Sequence, residues 1–228
     1  PIERHVLRRA DRVVAVSQFV ADMARQTLCD VPMQVIYNGI DTELFRPGNR
    51  ARQPDAPFRL LYVGSWMARK GVDLLAPIMR ELGDGFELHF TGGPAAEKDK
   101  AGMPANMYDI GRLSGDQVIA AMQTADAFLF PSRSEGFGLV AAEAMACGLP
   151  VVAARSSSLI EVLADGGIGV LCPPDDVGAF VAATNALKVD VQGQHRLQLA
   201  ARAWVVRQFS EDVMLENHNK IYQEIFIR

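Results

Sequence analysis

Cysteine is scarce in this chain, three in 228 residues, and the three are scattered. Cys29, Cys147 and Cys172 form no C-x-x-C pair, and no histidines stand at zinc-finger spacing, which argues against a disulfide framework or a common zinc site. A reducing compartment fits this usage. Positive charge is not in excess either: 23 Lys and Arg face 27 Asp and Glu, a net charge of −4. Without a basic footprint a nucleic-acid partner is not expected, and any phosphate must be gripped locally. Long hydrophobic runs are missing too. The most apolar stretch, 138–154, is interrupted by Glu143 and is too short to span a bilayer. The opening residues do not read as a secretory leader, a weak sign in a sequence that begins at Pro1 rather than Met, and a cytoplasmic setting is expected. Internal repeats and low-complexity tracts are absent. His5, His89, His195 and His218 make no H-E-x-x-H, and Asp175-Asp176 lies in a Pro-rich turn, so neither a catalytic metal nor a resident cofactor is expected.

What is present is an alternation. From Phe58 onward, short β-branched or aromatic runs alternate with amphipathic stretches, which predicts βαβ units and a doubly wound, Rossmann-like parallel sheet. Strands are expected at 59–64, 86–91, 107–110, 127–130, 151–154 and 169–171. Helices are expected at 71–82, 115–124, 138–147, 158–164 and 177–187, with two closing helices at 194–209 and 211–227. Ser158 with Glu161 three residues on has the form of a capping box for the fourth of these helices.

Turn formers dominate 48–57, which marks a linker. Before it, 1–47 reads as a helix, a strand at 13–17, a helix at 18–28 and a strand at 34–37. Two strands cannot close a core of their own, so this segment is expected to be the tail of a preceding α/β domain. The main domain then runs over 58–210. The last segment, 211–228, carries Val213, Met214, Ile221, Ile225 and Phe226 near the period of one buried stripe, and needs a surface to lie on.

The stretch from Phe130 to Pro150 is the richest in chemistry. A strand runs into a turn holding Glu135, Gly136 and Gly138 let the backbone approach a ligand, and a helix follows with Glu143 in its second turn. Unpaired amides and the dipole at such a helix start suit a diphosphate. Eight helical residues reach roughly 12 Å, about the distance from a sugar hydroxyl across two phosphates to a ribose. Either glutamate alone reads better as a solvated charge; together with the glycines and the strand-to-helix context, the binding site is favoured. A second loop, Gly64-Ser-Trp-Met-Ala-Arg69-Lys70-Gly71, leaves the first strand of the main domain. It is no Walker A loop, because Gly71 follows Lys70. Arg69 and Lys70 at a helix start are ordinarily a solvated pair, but cations there are disfavoured by the dipole, which shifts the reading towards a bound anion.

These residues resemble the retaining glycosyltransferases of the GT-B architecture, in particular their large family four. The likeness rests on Glu135-x7-Glu143 with its internal Gly-Phe-Gly-Leu, on Ala-Cys-Gly-Leu-Pro-Val-Val after it, on Asn38-Gly-Ile-Asp41 with Phe45-Arg-Pro47, and on Val63-Gly-Ser with Lys70-Gly71-Val-Asp. It covers essentially the whole chain. The resemblance implies the second, donor-binding domain of a two-domain enzyme, with only the tail of the first domain included and with this chain alone expected to be inactive. It implies that Lys70 contacts the donor diphosphate and stabilises the leaving group. Where similar enzymes carry an arginine after the glycine that matches Gly64, this chain has Ser65, and Arg69 is the candidate replacement. Arg112 and Leu113, after the third strand, are the candidates for nucleobase recognition. Gly136, Phe137, Gly138, Leu139 and Val140 form the diphosphate seat, with Glu135 orienting the sugar and Glu143 holding the ribose. The implied partners are a nucleoside-diphosphate sugar and a sugar or lipid acceptor. Separately, Arg4, Arg8, Arg9 and Arg12 cluster near the start, where peripheral contact with an anionic membrane is one reading and a solvated helix face the more usual one. Other readings are a sugar-nucleotide epimerase of the same architecture and a binding module without catalysis. A Rossmann oxidoreductase is weakest, because Gly167-Ile-Gly169 lacks the third glycine of the fingerprint and precedes a strand.

Overall fold

The computed structural model describes residues 2–49, 56–92 and 102–226. Most of the expected linker, 50–55, and Ile227 lie outside the described residues. The opening segment holds α1 (Ile2–Arg9), β1 (Val14–Ala15), α2 (Gln18–Thr27) and β2 (Gln34–Val35). Its strands are shorter than expected, and among the described residues β1 and β2 pair only with each other, in parallel. Without a second neighbour the ladder has nothing to extend it.

The main domain contains β3 (Phe58–Val63), α3 (Val72–Leu82), β4 (Phe86–Thr91), β5 (Met107–Asp109), α4 (Gly115–Thr124) and β6 (Ala127–Phe130). It continues with α5 (Leu139–Ala146), β7 (Val151–Ala154), α6 (Leu159–Val162), β8 (Val170–Cys172), α7 (Val177–Val189), α8 (Val191–Phe209) and α9 (Glu211–Phe226). All pairings of its sheet are parallel, in the order β5-β4-β3-β6-β7-β8. Every residue of β6 and β7 is buried, which is why these strands read as apolar runs rather than alternations: a parallel sheet is covered on both faces. The expected α/β doubly wound fold is therefore present.

The order reverses between β3 and β6. The chain winds outward from β3 through β4 to β5, returns to β6 on the other side of β3, and winds away through β7 to β8. At such a reversal the loops leaving the two central strands diverge and open a crevice beyond their C-terminal ends. Those loops are the two singled out above.

Two local expectations need correction. The helix expected at 158–164 is a single turn, α6, followed by a 3-10 turn at Ala164–Gly166 with Asp165 at φ 54°. The two helices expected at 177–187 and 194–209 meet at Asp190, which ends α7 and caps α8 by accepting from the Gly193 amide at 2.7 Å. The last helix finds its surface on the opening segment: Ile40 bridges to Ser210, the Gly39 amide lies 3.1 Å from the Met214 sulfur, and Arg12 pairs with Glu224 at 3.5 Å.

Candidate active site

Lys70 stands at the end of a 3-10 turn, Ala68–Lys70, rather than inside a helix start, and α3 begins after it at Val72. Gly71 makes this join with φ 69°, and a Cβ there would sit 2.0 Å from the Pro131 carbonyl oxygen. The turn after β3 thus lies directly on the loop after β6. Backbone bonds stitch the two, the Arg133 amide donating to the Arg69 carbonyl at 2.9 Å.

The stitching brings Lys70 and Glu135 together. Lys70 Nζ lies 2.6 Å from Glu135 Oε1, and the buried Ser132 hydroxyl donates to the same oxygen at 2.6 Å. The side chains are 15 % and 9 % exposed, and the ammonium also lies 5.6 Å from the centre of the Phe130 ring. Among the described residues nothing pairs with Glu135 Oε2. A nearly buried carboxylate thus keeps one oxygen for an outside donor while the other holds the lysine. Its backbone is fixed as well: the amide donates to the Ser157 hydroxyl at 2.9 Å, and the Ser158 hydroxyl donates to its carbonyl at 3.0 Å.

Gly136, Phe137 and Gly138 then lead into α5. Gly138 occupies the N-cap with φ 95° and no side chain caps the helix. Its first amides are therefore left for a ligand or water. The Leu139 side chain is 45 % exposed and Val140 packs on the core. Phe137 is buried, its ring 5.9 Å from Tyr37 and 5.2 Å from Phe209, so only its backbone faces a ligand. Glu143, one turn further, is half-buried and enters no ion pair among the described residues, and burial raises its pKa above the ordinary carboxyl value.

The remaining candidates lie further out. Gly64 meets Gly92, whose Cβ would fall 1.4 Å from the Gly64 carbonyl oxygen, so the ends of β3 and β4 touch backbone to backbone. Ser65 is exposed, with its carbonyl accepting from the buried Tyr62 hydroxyl at 3.2 Å. Burial foremost, then the Glu135 charge, raises the Tyr62 pKa, so the phenol stays protonated. Arg69 is exposed and enters no ion pair among the described residues. Arg112 is exposed and Leu113 half-buried, just beyond the end of β5, where the Gly111 carbonyl accepts from the Thr91 hydroxyl. They follow β5 as Lys70 follows β3, and among the described residues no hydrogen bond or ion pair joins them to Lys70. Among the described residues, no group of three or more His, Cys, Asp or Glu is placed to hold a metal ion.

Two features of the site were missed from sequence. The supposed capping box does not form: Ser158 serves Glu135, and Glu161 turns away to accept from the Gln18 and Phe19 amides at 2.8 and 2.7 Å, with the Tyr37 hydroxyl at 3.2 Å. The opening segment also holds the loop before α5 directly, the Ser17 hydroxyl donating to the Gly136 carbonyl at 2.6 Å. No local spacing signals these bonds: Ser158 and Glu135 are 23 positions apart, and the others join residues more than a hundred positions apart.

Comparison with known proteins sorts the chain by sequence and by shape. Residues 48–204 match the family described as glycosyl transferases group 1, and residues 1–44 match glycosyltransferase family 4. A glycogen synthase of Mycobacterium tuberculosis is 30% identical over 234 residues, covering 97% of this chain and 56% of its own. Among solved structures, sucrose-phosphate synthase from Thermosynechococcus elongatus superposes with a TM-score of 0.89 at 25% identity, over 99% of this chain and 61% of its own. Anabaena HepE in complex with UDP-glucose shares the fold, with a TM-score of 0.83 at 20% identity over 96% of this chain and 65% of its own. The chain spans about half the length of the curated relatives it matches.

Proposed function

Since this chain belongs to the glycosyl transferases group 1 family, with the GT-B fold, we propose that it forms the donor-binding half of a retaining, metal-independent enzyme that transfers a hexose from a nucleoside-diphosphate sugar to an acceptor hydroxyl. One observation carries this: Lys70, Ser132 and Glu135 converge at the β3/β6 reversal beside a helix start with no side-chain cap. The glycogen and sucrose-phosphate synthase relatives, and UDP-glucose in the HepE complex, support a hexosyl donor.

Cleaving the sugar–diphosphate bond puts negative charge on the departing oxygen, and groups already aimed there lower the barrier most. Lys70, the amides at the start of α5 and the exposed Arg69 supply that field. Glu135 takes a sugar hydroxyl on Oε2 while Oε1 keeps Lys70 in place. Glu143 accepts from the ribose, and Arg112 and Leu113 border the base. The sugar or lipid acceptor is met by residues outside this chain.

Titration with UDP-, GDP- and ADP-glucose, followed by thermal melting, tests the proposal. A donor at one hundred times its Kd raises stability by about 2.7 kcal/mol, and Lys70→Ala removes most of that rise. No shift with any of the three refutes donor binding. Incubation with donor alone separates transfer from epimerisation, since an epimerase changes the sugar without an acceptor.

A further inference from the structure

We infer that Arg133 is a positioning residue for Lys70, holding the lysine's turn against the sheet edge without touching the donor itself. This rests on the donor-site proposal for its functional meaning, though not for its geometry. The guanidinium Nη1 donates to the Ala68 carbonyl, and Nη1 and Nη2 grip the two oxygens of Asp73 at 2.7 Å each. Its Nε donates to Asp175 at 2.7 Å. One planar fork therefore joins the turn after β3, the first turn of α3 and the loop after β8. Only arginine presents donors in that arrangement.

Charge argues against a second role as phosphate ligand. Two carboxylates face one guanidinium, so the cluster is net negative and repels a diphosphate. Slack is absent as well, because the Pro131 carbonyl fills the space a Cβ would take at Gly71. A shift of the 68–70 turn therefore moves Lys70 against Glu135. The ion pairs are substantially exposed, Arg133 31 %, Asp73 55 % and Asp175 57 %. Such pairs add little to global stability, so the effect of losing them falls on Lys70.

The test reads Lys70 itself. In Arg133→Met, competitive acylation with acetic anhydride, followed by mass spectrometry, modifies Lys70 at least threefold faster than in the parent protein, with Tm nearly unchanged. Arg133→Lys gives no rescue, Asp73→Asn reproduces part of the change, and Arg155→Met, which removes a surface pair with Asp165, leaves Lys70 at its parent rate. In a double-mutant cycle on pyrophosphate binding, Arg133→Met adds no further loss once Lys70 is alanine. Unchanged Lys70 acylation overturns the inference, and so does an additive loss of pyrophosphate affinity, which makes Arg133 a ligand. Faster acylation in a protein that binds neither pyrophosphate nor any nucleoside diphosphate upholds the clamp and refutes the donor site.

Discussion

At the scale of single residues, the site holds two glutamates with opposite histories. Glu135 is nearly buried but carries its own cation, whereas Glu143 is half-buried and its carboxyl is raised by burial. A carboxyl whose folded-state pKa lies above its unfolded value, near 4.3, favours folding while protonated and loses that contribution as pH rises through the raised value. Glu143→Gln is therefore expected to raise Tm at pH 7.5 by about 1–3 °C and to bring no such gain at pH 4, while weakening nucleotide binding by tenfold or more, because the neutral amide accepts a weaker hydrogen bond. Melting curves at the two pH values, with a nucleotide titration, check both halves. The Lys70–Glu135 pair behaves the other way. Removing only the lysine leaves a buried charge, and Lys70→Ala should cost about 3 kcal/mol, whereas Lys70→Met with Glu135→Leu should cost much less; denaturant unfolding of both variants reads the difference. Both residues were legible as site candidates from the sequence, yet their pairing was not, because it depends on β3 and β6 being neighbours.

At the scale of elements, α5 is built to come close. Ala141, Ala142, Ala144 and Ala146 are fully buried, and these small side chains let the helix lie tight on the sheet and on α8. Its C-terminal end is bolted by Arg202, which donates to the carbonyls of Ala146, Phe45 and Thr42 at 2.7, 2.6 and 2.9 Å. Three carbonyls lose their donor in Arg202→Met, so an unfolding free energy lower by about 2–4 kcal/mol is expected, measured by urea denaturation. Asp73, on the first turn of α3, gives the element its acid sensitivity. Its hydrogen bonds from Arg133 hold the carboxyl below the ordinary carboxylate range, so its contribution is present above about pH 4 and lost as the pH falls through the lowered value. The spans of α3, α4 and α5 were legible because their apolar spacing is local. The failed capping box shows the limit: Ser158 and Glu161 have the right spacing, but α2 offers Glu161 two amides and Glu135 offers Ser158 a carbonyl. Tertiary partners outbid a motif that spans only one turn.

At the scale of the whole molecule, the alternation of strands and helices was enough to foresee a doubly wound sheet, but not its strand order, which depends on pairings between residues distant in sequence. The docking of the opening segment could not be foreseen, since its contacts depend on the chain returning through Ser210 to lie beside Ile40. That docking has a consequence for the site. Ser17 holds the Gly136 carbonyl, Tyr37 packs on Phe137, and Glu161 caps α2 from the main domain. Burial first, then the Glu161 charge, raises the Tyr37 pKa, so the phenol remains a donor to that carboxylate across the neutral range. Glu161→Ala removes the acceptor for two amides and one hydroxyl at once, without touching the main sheet. Hydrogen exchange is therefore expected to quicken at least tenfold at Gln18, Phe19 and Val20, while the amides of β3 and β6 keep their protection, because local opening draws on the weakest cooperative unit. Gly136 and Phe137 should exchange faster to a smaller degree, through loosened contacts with Ser17 and Tyr37. Uniform acceleration over the sheet would mean that Glu161 supports the whole fold, and unchanged exchange in α2 would mean that the aromatic packing of Tyr37, Phe137 and Phe209 alone holds the opening segment down.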